Sequence, residues 1–105
     1  MTTVKFYFEN NNLSGFEISG HSTAFEKDVE GKIVCSAISS AAYMAANSCI
    51  EIVGASVKAK VEDGLMFIKL NNKVEESQVV MKGLMLHINE LAKQYPKRIT
   101  VISEV

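Results

Sequence analysis

Arginine is nearly missing from this chain of 105 residues: of eleven basic residues, only Arg98 is one. That argues against bidentate phosphate recognition, which relies on the guanidinium fork. Excess charge is missing too. A formal net charge of −1 leaves no global field to gather nucleic acid or an anionic membrane surface. Cysteine is scarce: two residues with no CxxC spacing do not make a disulfide framework, and a reducing, cytoplasmic compartment is expected. No apolar run approaches the ~18 residues a membrane span needs. The opening MTTVKFYFEN alternates apolar and polar residues, unlike the apolar stretch of a signal peptide. Neither a metal nor a cofactor is implied.

What remains is an ordinary globular composition, 48% hydrophobic and 22% charged. At this length one domain buries a core without disulfides or a metal. Val4, Phe6 and Phe8 alternate with polar neighbours and predict a half-buried strand over 3–9. ENNNLSG reads as a turn, followed by a strand over 14–20 with Phe16 and Ile18 on the inner face. Residues 21–31 are polar and read as a loop. From Ile33 to Val53 the period changes, and Ala37, Ala41, Met44, Ala45, Ser48 and Ile52 share one helix face. Gly54 is placed to end that helix.

Asp63-Gly64 predicts a tight hairpin pairing Val61 with Met66, Ala59 with Ile68 and Val57 with Leu70. Asn72 and Glu75 read as a capping box. The helix after them carries Val80, Leu84, His87, Ile88, Leu91 and Tyr95, and Pro96 stops it. A last strand runs from Arg98 to Glu104. The order is ββαββαβ: a single α+β domain, two helices packed on mixed or antiparallel strands.

Chemistry concentrates in GHSTAFEKDVEGKIVCSAIS, residues 20–39, where His21 and Cys35 lie fourteen positions apart. His21 follows a strand, and Cys35 falls in the first turn of the predicted helix. A helix N-terminus carries partial positive charge and unpaired N–H groups, which favour a thiolate and can hold an oxyanion. Base, nucleophile and oxyanion donors would then meet at one loop. The plainer alternative is a cysteine that is only a small hydrophobe. His87, among Leu84, Ile88 and Leu91, reads as a partly buried packing residue. Cys49 reads as core: fourteen residues of helix, about 21 Å, keep it from bridging Cys35. Ser39, one turn beyond Cys35, either hydrogen-bonds near the site or is there for its size.

The pairing of Gly20-His21 with Gly31, Ile33, Val34, Cys35, Ala37 and Ser39 resembles the ribosomal-processing cysteine protease (Prp) family. That pattern is roughly Gly-His, a variable loop, then Gly-x-Asp-Ile-Val-Cys-Ala-Ala-Val-Ser. The resemblance covers essentially the whole domain. It implies a homodimeric bacterial endopeptidase that removes the N-terminal extension of large-subunit ribosomal protein twenty-seven, cutting after aromatic residues and before a small one. Cys35 would be the nucleophile, His21 the general base, and residues 22–31 a mobile cover over the peptide. One position departs: Lys32 stands where the pattern has Asp, with Asp28 or Glu30 as candidate substitutes. Two other functions fit the residues, a non-catalytic ribosome-associated binding module of the same fold and a peroxide-reactive thiol protein. The second lacks a resolving cysteine near Cys35.

Overall fold

The alternation at the N-terminus becomes β1 (Thr2–Glu9), which reverses through Asn10 and Asn11 into β2 (Asn12–Gly20) in the computed structural model, which describes residues 1–21 and 27–104. Both asparagines take positive φ, 51° and 66°. A two-residue type I′ turn requires such angles, and asparagine tolerates them. The turn is therefore tighter than predicted, and β2 starts two residues earlier. Its register slips between Tyr7, opposite Gly15, and Phe8, opposite Leu13, leaving Ser14 as a bulge. The bulge is closed from two sides. Ser14 Oγ donates to the Tyr7 carbonyl at 3.1 Å. Gln78 accepts from Leu13 N–H at 2.7 Å, and its Nε2 donates to the Leu13 carbonyl at 2.9 Å.

The predicted Asp63-Gly64 hairpin forms in the predicted register, as β3 (Val57–Glu62) and β4 (Leu65–Leu70). The sheet order is β3-β4-β2-β1-β5, where β5 is Ile99–Glu104. β5 runs parallel to β1 and the other pairs are antiparallel, so the sheet is mixed. Its inner face buries Val4, Phe6, Leu13, Phe16, Met66, Ile68 and Ile99. Against them lie Val34, Ile38, Ala42 and Ala45 of α1 (Val29–Asn47), and Met81, Leu84 and Ile88 of α2 (Gln78–Gln94). Each large apolar side chain so buried contributes about 1.5–3 kcal/mol.

The first helix departs most from the sequence reading. It starts at Val29, because Asp28 caps it: the carboxylate accepts from Gly31 N–H at 3.0 Å and the carbonyl from Lys32 N–H at 3.1 Å. Arg98 then clamps the cap, with Nη1 and Nη2 on Asp28 at 2.6 and 2.9 Å and Nε on Glu30 at 2.8 Å. These bonds hold the guanidinium pKa above its ordinary value. Past Asn47 the chain continues as wider π-helical turns over Ser48–Val53, closed by left-handed Gly54. The wider turns rotate the chain beyond Asn47, so Ile52 is 82% exposed; Met44, still within α1, is exposed because it lies off the face of Val34, Ile38 and Ala42. The buried stripe is Val34, Ile38, Ala42, Ala45 and Cys49 instead of the predicted one.

Helical residues 29–53 are, by length and composition, long and apolar enough to cross a membrane, contrary to the sequence reading. In the fold, their apolar stripe covers the sheet. α2 also starts later than predicted. Asn72 is no helix cap: its Oδ1 accepts from Ser56 N–H at 2.8 Å, and α2 begins at Gln78.

Two predictions follow from these joints. Asp28→Ala removes the cap and leaves Arg98 facing the helix start; a stability loss of about 2–4 kcal/mol is expected in urea denaturation. Cys49 is buried, and desolvation pushes its thiol pKa above the ordinary 9.0, partly offset by a hydrogen bond with Ser77. A raised folded-state pKa means that the stability tied to this thiol is intact below pH 9.0 and lost as pH rises through the folded value. Cys49→Ala should cost about 1 kcal/mol at neutral pH. The variant's stability should then fall less steeply above pH 9 than the wild type's, as read by thermal melts.

Candidate active site

His21 and Cys35 come together. Both line one cavity of about 250 Å³, bounded by the ends of β1 and β2, the second and later turns of α1, and the β3–β4 turn. On α1, Cys35, Ser39 and Tyr43 are spaced four residues apart and face this space, as the helical repeat requires. Ile18, Ile38 and Met66 form apolar wall, while Glu62 and Asp63 stand at the turn. Cys35 is half-buried, and both cysteines are thiols rather than half-cystines.

His21 is held by its main chain. Gly20 N–H donates to the Gly64 carbonyl at 3.0 Å, and the Met1 nitrogen donates to the His21 carbonyl at 2.8 Å. Gly20 has φ +84° and Gly64 φ +73°, a conformation that favours glycine. The imidazole stands against the turn: Nε2 is 3.8 Å from Asp63 Oδ1.

Cys35 is not in the first turn of the helix. With α1 starting at Val29, it lies in the second turn, beyond the reach of most of the terminal dipole. The first-turn N–H of Gly31 is taken by Asp28. The oxyanion donors expected at the helix end are therefore displaced from the thiol.

The proposed cover shortens too: Val29–Gly31 are helix and Asp28 is its cap, while residues 22–26 lie outside the described residues. The two candidate substitute acids, Asp28 and Glu30, both engage Arg98. Lys32 is exposed on α1.

His87 is exposed rather than partly buried, and it lines a separate groove of about 660 Å³ between the helices, with Ala37, Met44 and Val80. Cys49 is core, as read. Tyr43 and Asp63 were missed by sequence reasoning. The i, i+4, i+8 spacing from Cys35 gave a signal for Tyr43. Asp63 gave none beyond its turn, because its neighbour His21 is distant in sequence.

Comparisons with known proteins bear on the family and the fold. The family model for cysteine protease Prp matches residues 1–100. No curated protein matches the chain. A Streptococcus mutans protein, SMU.848, is 24% identical with a TM-score of 0.87, over 99% of this chain and 94% of that one. The essential ribosomal processing protease Prp from S. aureus, in complex with a substrate peptide, is 17% identical with a TM-score of 0.86, over 99% of this chain and 100% of that one. The same S. aureus protease with a covalently linked product peptide gives 17% and 0.83, over 99% and 100%. At these identities the structures establish a shared fold. The family match spans nearly the whole sequence, and the chain belongs to the cysteine protease Prp family.

Proposed function

We propose that the chain is a cytoplasmic cysteine endopeptidase that removes the N-terminal extension of large-subunit ribosomal protein twenty-seven, with Cys35 as nucleophile and His21 as general base. The observation that carries this reading is their shared cavity. The S. aureus protease with a covalently linked product peptide supports a thiol that bonds to its substrate.

The chemistry balances with these two side chains and water. His21 takes the thiol proton as Sγ attacks the scissile carbonyl carbon. The C–N bond then breaks, and the imidazolium gives its proton to the departing amine, leaving a thioester on Cys35. Water, deprotonated by His21, cleaves the thioester and restores thiol and free carboxylate. Ile18, Ile38, Tyr43 and Met66 offer an apolar wall suited to an aromatic side chain beside the scissile bond. The functional unit is a homodimer in this reading.

Incubating the purified protein with the extended ribosomal protein and weighing the products tests the activity. The wild type should yield two fragments. Cys35→Ala should yield none while keeping its fold and its affinity for the peptide; a variant that cuts at near wild-type rate removes Cys35 from the mechanism. His21→Ala should slow cleavage by roughly 10²–10⁴-fold, and His87→Gln should change it little. The reverse ranking would assign the base to the other histidine. Sedimentation at micromolar concentration should give about twice the 11.5 kDa of one chain, and a mass near 11.5 kDa would contradict the dimer.

A further inference from the structure

We infer that Asp63, on the β3–β4 turn, is the positioning carboxylate of His21, standing in for an acidic residue at position 32. The inference rests on the proposed His–Cys reading and adds a residue to it.

The geometry around the ring carries the assignment. A Cβ added to Gly64 would lie 3.1 Å from His21 Nε2, and 3.7 Å from both Cδ2 and Cε1. The ring therefore presents its Nε2 edge to the turn. On that side Asp63 Oδ1 is 3.8 Å away, longer than a hydrogen bond but within ion-pair distance of an imidazolium. The Gly20–Gly64 main-chain bond fixes the segment bearing the ring to the turn bearing the carboxylate. The neighbouring acids have other partners: Asp28 and Glu30 hold Arg98, and Glu62 lies 3.4 Å from Lys60 Nζ. Position 32 is a lysine.

With Nε2 turned to Asp63, Nδ1 is the nitrogen that takes the proton from Cys35. As that proton moves, the ring gains a positive charge beside a carboxylate that stays ionised throughout. Nδ1 then returns the proton to the leaving amine. The side chains of His21 and Asp63 are 57% and 100% exposed, so water and salt weaken the pair. Its contribution is accordingly a few-fold in rate.

Asp63→Asn keeps the size of the side chain and leaves the left-handed position to Gly64, so the turn should survive. With a peptide carrying an aromatic–small cleavage sequence, Asp63→Asn should lower kcat about three- to five-fold and leave KM within about two-fold. Asp63→Glu should recover at least half of the loss. The ¹⁵N spectrum of His21 should show a changed tautomer ratio in the Asn variant, which a merely structural role for Asp63 would leave alone. Raising the salt to about 0.5 M should shrink the gap between wild type and Asn variant. An Asn variant with wild-type kcat and an unchanged tautomer ratio, in a protein that His21→Ala inactivates, would overturn the role of Asp63 alone. A loss that Asp63→Glu does not recover would overturn it as well. Wild-type activity in His21→Ala would overturn the His–Cys reading and this inference with it.

Discussion

One main-chain hydrogen bond, from Gly20 N–H to the Gly64 carbonyl, decides where the chemistry of this fold is placed. It extends the β2–β4 ladder past the Ser19–Leu65 pair to the tip of the second hairpin. Its net contribution to stability is only about 1 kcal/mol. Its value is positional. Both residues are left-handed glycines, and a Cβ on Gly20 would sit 2.5 Å from the Met1 carbonyl. The backbone can thus leave β2 sharply enough for His21 to stand at the cavity that α1 borders with Cys35. The histidine is delivered by a strand end and the cysteine by a helix face.

The start of α1 is a structural joint. Asp28 caps the helix and, with Glu30, fastens Arg98, which immediately precedes β5. The lone arginine of the sequence is thus engaged by two carboxylates of its own chain. Because this joint lies at Val29, Cys35 sits too far along the helix to depend on the terminal N–H groups. Cys35 is half-buried at the cavity it shares with His21, whereas Cys49 is sunk in the core.

The sequence disclosed local structure where one residue type had one physical meaning. Asp63-Gly64 set a turn, and the turn set the register of Val57–Leu70 through Val61–Met66. The element order was legible for the same reason, as was the core position of Cys49, while the choice between a mixed and an antiparallel sheet stayed open until β5 paired parallel with β1. The start of α1 was not, because its first turn is polar and is held by Asp28 and Arg98, the latter from the far end of the chain. Apolar periodicity begins only at Ile33. The buried face was misplaced because Met44 and Ile52 are apolar yet exposed, Met44 by lying off the Val34–Ile38–Ala42 face and Ile52 through the π-helical turns. Asn72 had the chemistry of a helix cap but caps Ser56 instead. At the candidate site, the flanking Gly-His and Ile-Val-Cys blocks pointed to His21 and Cys35, which the fold brings to one cavity. Asp63 was not, since its closeness to His21 arises only when β2 pairs with β4.

Covalent trapping addresses the nucleophile directly. A substrate-like peptide ending in an aromatic residue and an electrophilic ketone, incubated with the wild-type protein, should leave one adduct, and peptide mapping by mass spectrometry should locate it on Cys35. His21→Ala should slow its formation. An adduct on Cys49, or an unmodified Cys35 in protein that still cleaves its substrate, would contradict the assignment of Cys35 as the nucleophile.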